Sequence, residues 1–171
     1  MLPGLSGHLV SDAVLERAVV DAVPALAAPG LESGRARLGR WRHLCRWLGP
    51  ASTVPSLFEA AAAPLVDALG FDVPSRVERA GGCVLATIHA GPEPVVLLVS
   101  AWAERLDPFW RLAITEAMRR AAAWALLFNG THLRLVDADR LYARRFAEFD
   151  VDLVIDQERT FAAFWALMYS T

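Results

Sequence analysis

The sequence predicts an α/β domain: a mixed β-sheet covered by helices. Three observations carry this. Apolar residues recur at helical spacing through the first part of the chain and then change to unbroken β-like runs. Two neighbouring runs are joined by a Gly- and Pro-containing turn, and a further pair flanks Asn129-Gly130, a strong hairpin signal. A single helical segment stands between these two groups of strands.

Each element has its own signal. "SDAVLERAVVDAV" reads as a helix with Ser11 as N-cap and Pro24 as its end, and "APGLESG" as a loop. "RARLGRWRHLCRWLGP" is a second helix, stopped by Gly49-Pro50. "VPSLFEAAAAPLVDALGF" is a third, opened near Pro55, kinked at Pro64 and closed by Gly70. "SRVERA", "GCVLATIHA" and "PVVLLVSAW" follow as strands, the last two joined through "GPEP". "LDPFWRLAITEAMRRAAA" is a helix with Asp107 as N-cap and Pro108 at its first position. "WALLFNGTHLRLVDA" supplies two strands, "LYARRFAEFDV" alternates like an edge strand, and "ERTFAAFWALMYS" closes the chain as an apolar helix.

Composition narrows the function classes. The chain has 171 residues, 55% of them hydrophobic and 21% charged, the balance of a chain that buries a core. One domain is expected over residues 1–171, with a helical N-terminal extension at 1–54 and an α/β core at 55–171. No apolar run is long enough to cross a bilayer, and "MLPGLSGHLVSDAV" lacks the basic start and apolar core of a signal peptide, so a cytoplasmic protein without membrane contact is expected. Cys45 and Cys83 have no CxxC spacing, and His8, His43, His89 and His132 form no i,i+4 pair; neither a disulfide framework nor a metal site is expected. The net charge of −2 does not make the whole chain a polycation. All 17 basic residues are arginine, which removes every mechanism that needs a lysine ammonium. "AGG" at residues 80–82 lacks the frame of a phosphate loop, so no nucleotide cofactor is expected.

Several phrases then form a pattern. "LLVSAWAERLD", "FNGTHLRLVD" and "ERTFAAFWALM", in that order over residues 57–168, resemble the N-terminal nuclease-type domain of type IIG restriction–modification enzymes and related type I subunits, which precedes an adenine-specific DNA methyltransferase. The family phrase is a strand with E-x-K followed closely by W-G, a helix, a strand ending "FNG" or "TNG", and then "LRL" before an acid. The resemblance implies a restriction-endonuclease-like sheet and a PD-(D/E)xK site, whose carboxylates hold Mg²⁺ and whose lysine positions the attacking water. Setting Trp102 on the family tryptophan places Leu98 at the acid and Ser100 at the lysine, and "GCVLATIHA" contains no acid. The acids left are Glu78, Glu93, Glu104 and Asp107, of which Glu93 lies at the far end of its strand, about 20 Å from Trp102. No catalytic residue is therefore assigned, and the chain alone is not expected to be an enzyme.

The expected role is that of an inactive nuclease-like domain in a bacterial restriction or phage-defence protein, contributing DNA contact or scaffolding. The binding candidates are Arg35, Arg37, Arg40, Arg42 and Arg46, in a segment without an acid between Glu32 and Glu59. Leu38, Trp41, Cys45 and Leu48 form the buried stripe of that helix, leaving Arg35, Arg42 and Arg46 on an exposed face. Two alternatives stand beside it. One is a protein-interaction module docking on a methyltransferase or defence subunit through Phe161, Phe164 and Trp165. The other is a metal-dependent endonuclease with a non-standard site. Arg119-Arg120 and Arg144-Arg145 are each expected to make separate surface contacts, Arg134 to face away from the core and pair with an acid on the next strand, and five of six tryptophans to pack in the core.

Overall fold

A computed structural model describes residues 2–11, 14, 29–74, 76–140 and 143–168. The helix expected over 11–23 falls almost wholly outside them; within them, the Ser11 hydroxyl accepts the Val14 N–H at 3.4 Å.

Seven strands form one sheet: β1 (Leu5–Gly7), β2 (Val77–Ala80), β3 (Cys83–Ala90), β4 (Glu93–Val99), β5 (Trp124–Phe128), β6 (His132–Asp137) and β7 (Phe146–Asp150). Their spatial order is β1-β7-β6-β5-β4-β3-β2. Every pairing is antiparallel except β4 with β5. A parallel pair needs a long crossover, and residues 100–123 supply it with a 3₁₀ turn (Asp107–Phe109) and helix α3 (Trp110–Arg119). The α/β class and the mixed sheet are as the sequence predicts.

The period of two sorts the strand residues onto two covered faces. Ile88, Leu97, Leu126, Leu133 and Phe149 belong to the larger apolar cluster, with residues of α1 (Pro29–Cys45), α2 (residues 54–68), α4 (Val151–Asp156) and α5 (Glu158–Met168). Leu85, Val96, Leu98 and Leu127 belong to the smaller one, with Ala113 and Ala117 of α3. Residues 95–99 are consequently all buried, which is why this strand reads as continuously apolar.

Helix α2 contains the predicted disturbance at Pro64: a π-helical segment at Phe58–Ala62 separates two α-helical ones. Proline has no N–H to offer the carbonyl four residues before it. That carbonyl, on Ala60, accepts the Cys45 thiol at 3.1 Å, and the next, on Ala61, accepts the Trp41 indole N–H at 2.8 Å. The buried stripe of α1 therefore docks by hydrogen bonds as well as by apolar contact.

Several expectations are corrected. Residues 1–54 are not only a helical extension: β1 is a strand of the sheet, and Leu38, Trp41 and Leu48 belong to its core. With β1 paired on its outer side, β7 is internal and not an edge. The "APGLESG" loop is the first part of α1, which starts at Pro29; Gly34 inside it is needed because a Cβ there would come within 2.5 Å of the Trp165 ring. Asp107 opens the 3₁₀ turn without capping it and pairs with Arg105 and Arg134. Four of the six tryptophans pack in or against the core, Trp41 buried and Trp102, Trp110 and Trp165 half-buried, while Trp47 and Trp124 are exposed.

Candidate functional site

The mouth of β4 is closed by an interlock of backbone and side chain. The Ser100 N–H extends the parallel ladder to the Phe128 carbonyl at 2.9 Å, after which the chain turns away. At the turn Ala103 adopts φ +55°, a left-handed conformation that a side chain resists, and its N–H is held by the Asn129 carbonyl at 2.8 Å. The Asn129 amide, itself buried, donates to the Glu104 carbonyl at 2.8 Å. Its oxygen accepts the Thr131 N–H and hydroxyl and the His132 N–H at 3.0, 3.1 and 2.7 Å. Gly130 has φ +88° and lies under the Trp102 ring, where a Cβ would come within 2.5 Å of the indole. The "SAWA" and "FNGTH" phrases are thus bound to one another across the β4–β5 ends.

Leu98 and Ser100 are both 0% exposed. Leu98 lies in the apolar cluster against α3, and the Ser100 hydroxyl has no protein hydrogen-bond partner among the described residues. The acids around them are committed elsewhere. Glu104 accepts the Ala101 N–H at 3.1 Å, and Asp107 pairs with Arg134 at 3.3 Å. Glu78 pairs with Arg119 at 2.9 Å, and Glu93 begins β4 at its opposite end. Among the described residues no group of three or more His, Cys, Asp or Glu side chains stands close enough to hold a metal ion.

The five arginines of α1 and the turn after it divide sharply. Arg35 donates to the last carbonyls of α4, Ile155 at 2.9 Å and Asp156 at 3.0 Å. Arg42 pairs with the Asp156 carboxylate at 3.0 Å, with Asp152 at 3.8 Å. Arg37 is half-buried with its guanidinium 5.6 Å from the centre of the Trp165 ring. Arg40 and Arg46 are exposed and form no ion pair among the described residues. The shared face of Arg35, Arg42 and Arg46 is therefore not free: among the described residues, only Arg46 on it remains uncommitted. Two residues outside the predicted set join Arg40 and Arg46, Leu44 at 71% exposed and Trp47 at 66%. The signal for them is present in the sequence, since a buried stripe at 38, 41, 45 and 48 leaves 40, 43, 44 and 47 on the other side of the helix.

A cleft of about 290 Å³ opens between this end of α1 and the interlock, bordered by Trp41, Arg42, Arg46, Trp102, Thr131 and Asp152. A larger cleft, about 580 Å³, lies at the other end of the sheet beside Val95, Trp124 and Asp137. None of the predicted site residues lines it, although Ala166, Leu167 and Met168, which follow Trp165 in α5, do; the ionic groups at its rim are Asp137, with Arg140 at 4.0 Å and Arg145 at 3.9 Å.

Most of the remaining candidates are engaged by other parts of the fold. Phe161 and Phe164 are 0% and 2% exposed, Phe164 edge-on to Phe149 at 5.1 Å, so they are core residues and not a docking surface. Trp165 is half-buried, stacked on Phe161 at 5.6 Å. Arg119 and Arg120 are one cluster instead of two contacts, since both reach Glu116 at 2.7 Å and Glu78 at 2.9 and 3.3 Å. Arg134 does pair with Glu148 on the neighbouring strand, at 2.7 Å, but is buried there over the Phe146 ring. Of the pair Arg144-Arg145, Arg145 donates to the Leu9 carbonyl at 2.7 Å while Arg144 stays exposed. Burial pushes the Cys45 thiol up to about 11; burial, with Glu104 contributing, does the same for Cys83.

No helix among the described residues is long and apolar enough to cross a membrane. No protein family, curated protein or solved structure matches the chain.

Proposed function

We propose that this chain is a nuclease-like α/β domain without cutting chemistry that contacts nucleic acid through the free side of α1, as one module of a restriction or phage-defence protein. The observation that carries this reading is the juxtaposition at the mouth of β4. The positions that resemble the family's acid and lysine, Leu98 and Ser100, are sealed in the interior, while the uncommitted Arg46 stands beside the same mouth. The interlock supports the resemblance further. Ala103, with φ +55°, occupies the glycine position of the family's W-G phrase, and Trp102 packs on the glycine of "FNG". In this reading those phrases keep a structural task, holding β4, β5 and the crossover together, after the metal-binding residues between them have been replaced.

Electrostatics supports nucleic acid as the partner. Residues 33–58 contain five arginines and no acid; Arg35 and Arg42 are taken by α4, and Arg40 and Arg46 form no ion pair among the described residues. The docking alternative loses Phe161 and Phe164, which the core already uses.

The test is the equilibrium binding of labelled duplex and single-stranded DNA to the full chain across a salt series. Binding is expected to weaken steeply with salt and to fall when Arg40 and Arg46 are both changed to glutamate. Arg42 is a poor probe, because its replacement removes the ion pair with α4. Absent or salt-insensitive binding, unchanged by the double substitution, contradicts the proposal.

A further inference from the structure

The exposed side of α1 carries more than charge. Arg40, His43, Leu44 and Trp47 follow one another at i, i+3, i+4 and i+7, and all four are exposed. Trp47 lies in the turn just beyond Cys45, the last helical residue, and the buried Leu48 anchors that turn from the other side. A large aromatic ring at 66% exposure contributes little to its own fold, and here it directly follows Arg46 in a segment of sequence without an acid.

We infer that this stripe is a binding surface for single-stranded nucleic acid, on which an unpaired base stacks against the Trp47 indole while Arg40 and Arg46 neutralise the flanking phosphates. The inference rests on the nucleic-acid reading above and narrows its substrate class. A duplex hides its base faces in the stack, so an exposed indole gains nothing from it; an unpaired base offers a π-face of any sequence. Positions 40 and 47 are about 10 Å apart along the helix axis, so the ring and Arg40 sit at separate points along a strand. Leu44 between them offers an apolar surface for a sugar or base edge. Arg46 also borders the cleft beside Trp102 and Thr131, where the exposed Asp152 carboxylate stands 3.8 Å from Arg42.

The experiment compares fluorescence-anisotropy isotherms of labelled oligothymidylate and of a duplex of equal length against the full chain and its Trp47→Ala, Trp47→Phe and Arg40→Gln/Arg46→Gln variants. Thermal melts of each variant check folding. The expected result is preference for the single strand, a loss of roughly 5- to 150-fold on Trp47→Ala, partial recovery in Trp47→Phe, and no effect of either on duplex binding. The double arginine variant should flatten the salt dependence on oligothymidylate, by about 0.7 in the log–log slope for each phosphate that is no longer neutralised. Binding that needs the arginines but ignores Trp47 overturns this inference and leaves the nucleic-acid reading standing. Absence of binding to either probe at low salt removes both. Self-association that Trp47→Ala abolishes, without nucleic-acid binding, replaces the strand by a protein partner and also overturns it.

Discussion

Single side chains settle what the mouth of β4 can do, and they settle it by where their polar atoms are spent. Asn129 has its amide oxygen and nitrogen committed to four hydrogen bonds, so the "FNG" turn is rigid without help from a ligand. Trp41 combines burial with one indispensable bond, to the carbonyl of Ala61 in the π-helical turn. Trp41→Phe keeps most of the apolar packing but strands that carbonyl, and a destabilisation of about 1–3 kcal/mol is expected in urea unfolding. A change within about 0.5 kcal/mol would show that water reaches the carbonyl instead. The thiols make a second prediction. With both raised to about 11, Cys45 and Cys83 are neutral at pH 8 and should react with iodoacetamide far more slowly in the folded chain than after denaturation. Mass spectrometry showing rapid alkylation of the native protein at pH 8 would contradict this.

Elements show which parts of the sequence speak for themselves. Strands β3 and β4 are legible as runs of β-branched and aliphatic residues beside Gly and Pro, and β5 and β6 as apolar segments on either side of Asn129-Gly130. Strand β1 is not: Leu5-Ser6-Gly7 has no alternation to read and becomes a strand only because β7 offers its edge. Helix α1 is longer than the sequence predicts since Gly30 and Gly34 look like breakers, whereas Gly34 is required by the approach of Trp165. The commitment of Arg35 and Arg42 is equally hidden, because their partners in α4 lie more than 100 residues later. Helix α3 carries its own test at the end where Arg119 and Arg120 meet Glu78 of β2. The hydrogen bond from Arg119 is the main cause that holds the Glu78 carboxyl below its ordinary value of 4.5, with the charges of Arg120, Arg119 and Arg76 adding to it against a smaller desolvation effect. A depressed carboxylate contributes stability above its unfolded pKa and loses it as pH falls through the folded value. Glu78→Gln should therefore lower the melting temperature at pH 7, with the gap to wild type closing below pH 4.5. A gap that stays constant down to pH 2 would assign the effect to packing.

At the scale of the whole molecule, the sheet separates two tasks. Its central strands β4 and β5 are apolar on both faces, and their ends at Ser100 and Asn129 form a mechanical joint with the crossover. Arg40 and Arg46, which form no ion pair among the described residues, sit outside this joint, on α1 and the turn that follows it. The fold class is readable from periodicity alone, but the candidate site is only half readable: "LLVSAW" shows no acid and no lysine at the end of β4, while the division of the arginines into committed and free ones emerges only once α4 has taken its share. The proposed role is to hold nucleic acid without cutting it. The most direct measurement is to incubate the full chain with labelled single- and double-stranded DNA in Mg²⁺ or Mn²⁺ and in EDTA, reading binding by anisotropy and strand integrity on a denaturing gel. The account predicts salt-sensitive binding that is the same with and without the metal, and intact strands throughout. Metal-dependent cleavage that disappears on Glu104→Gln or Asp107→Asn would contradict it.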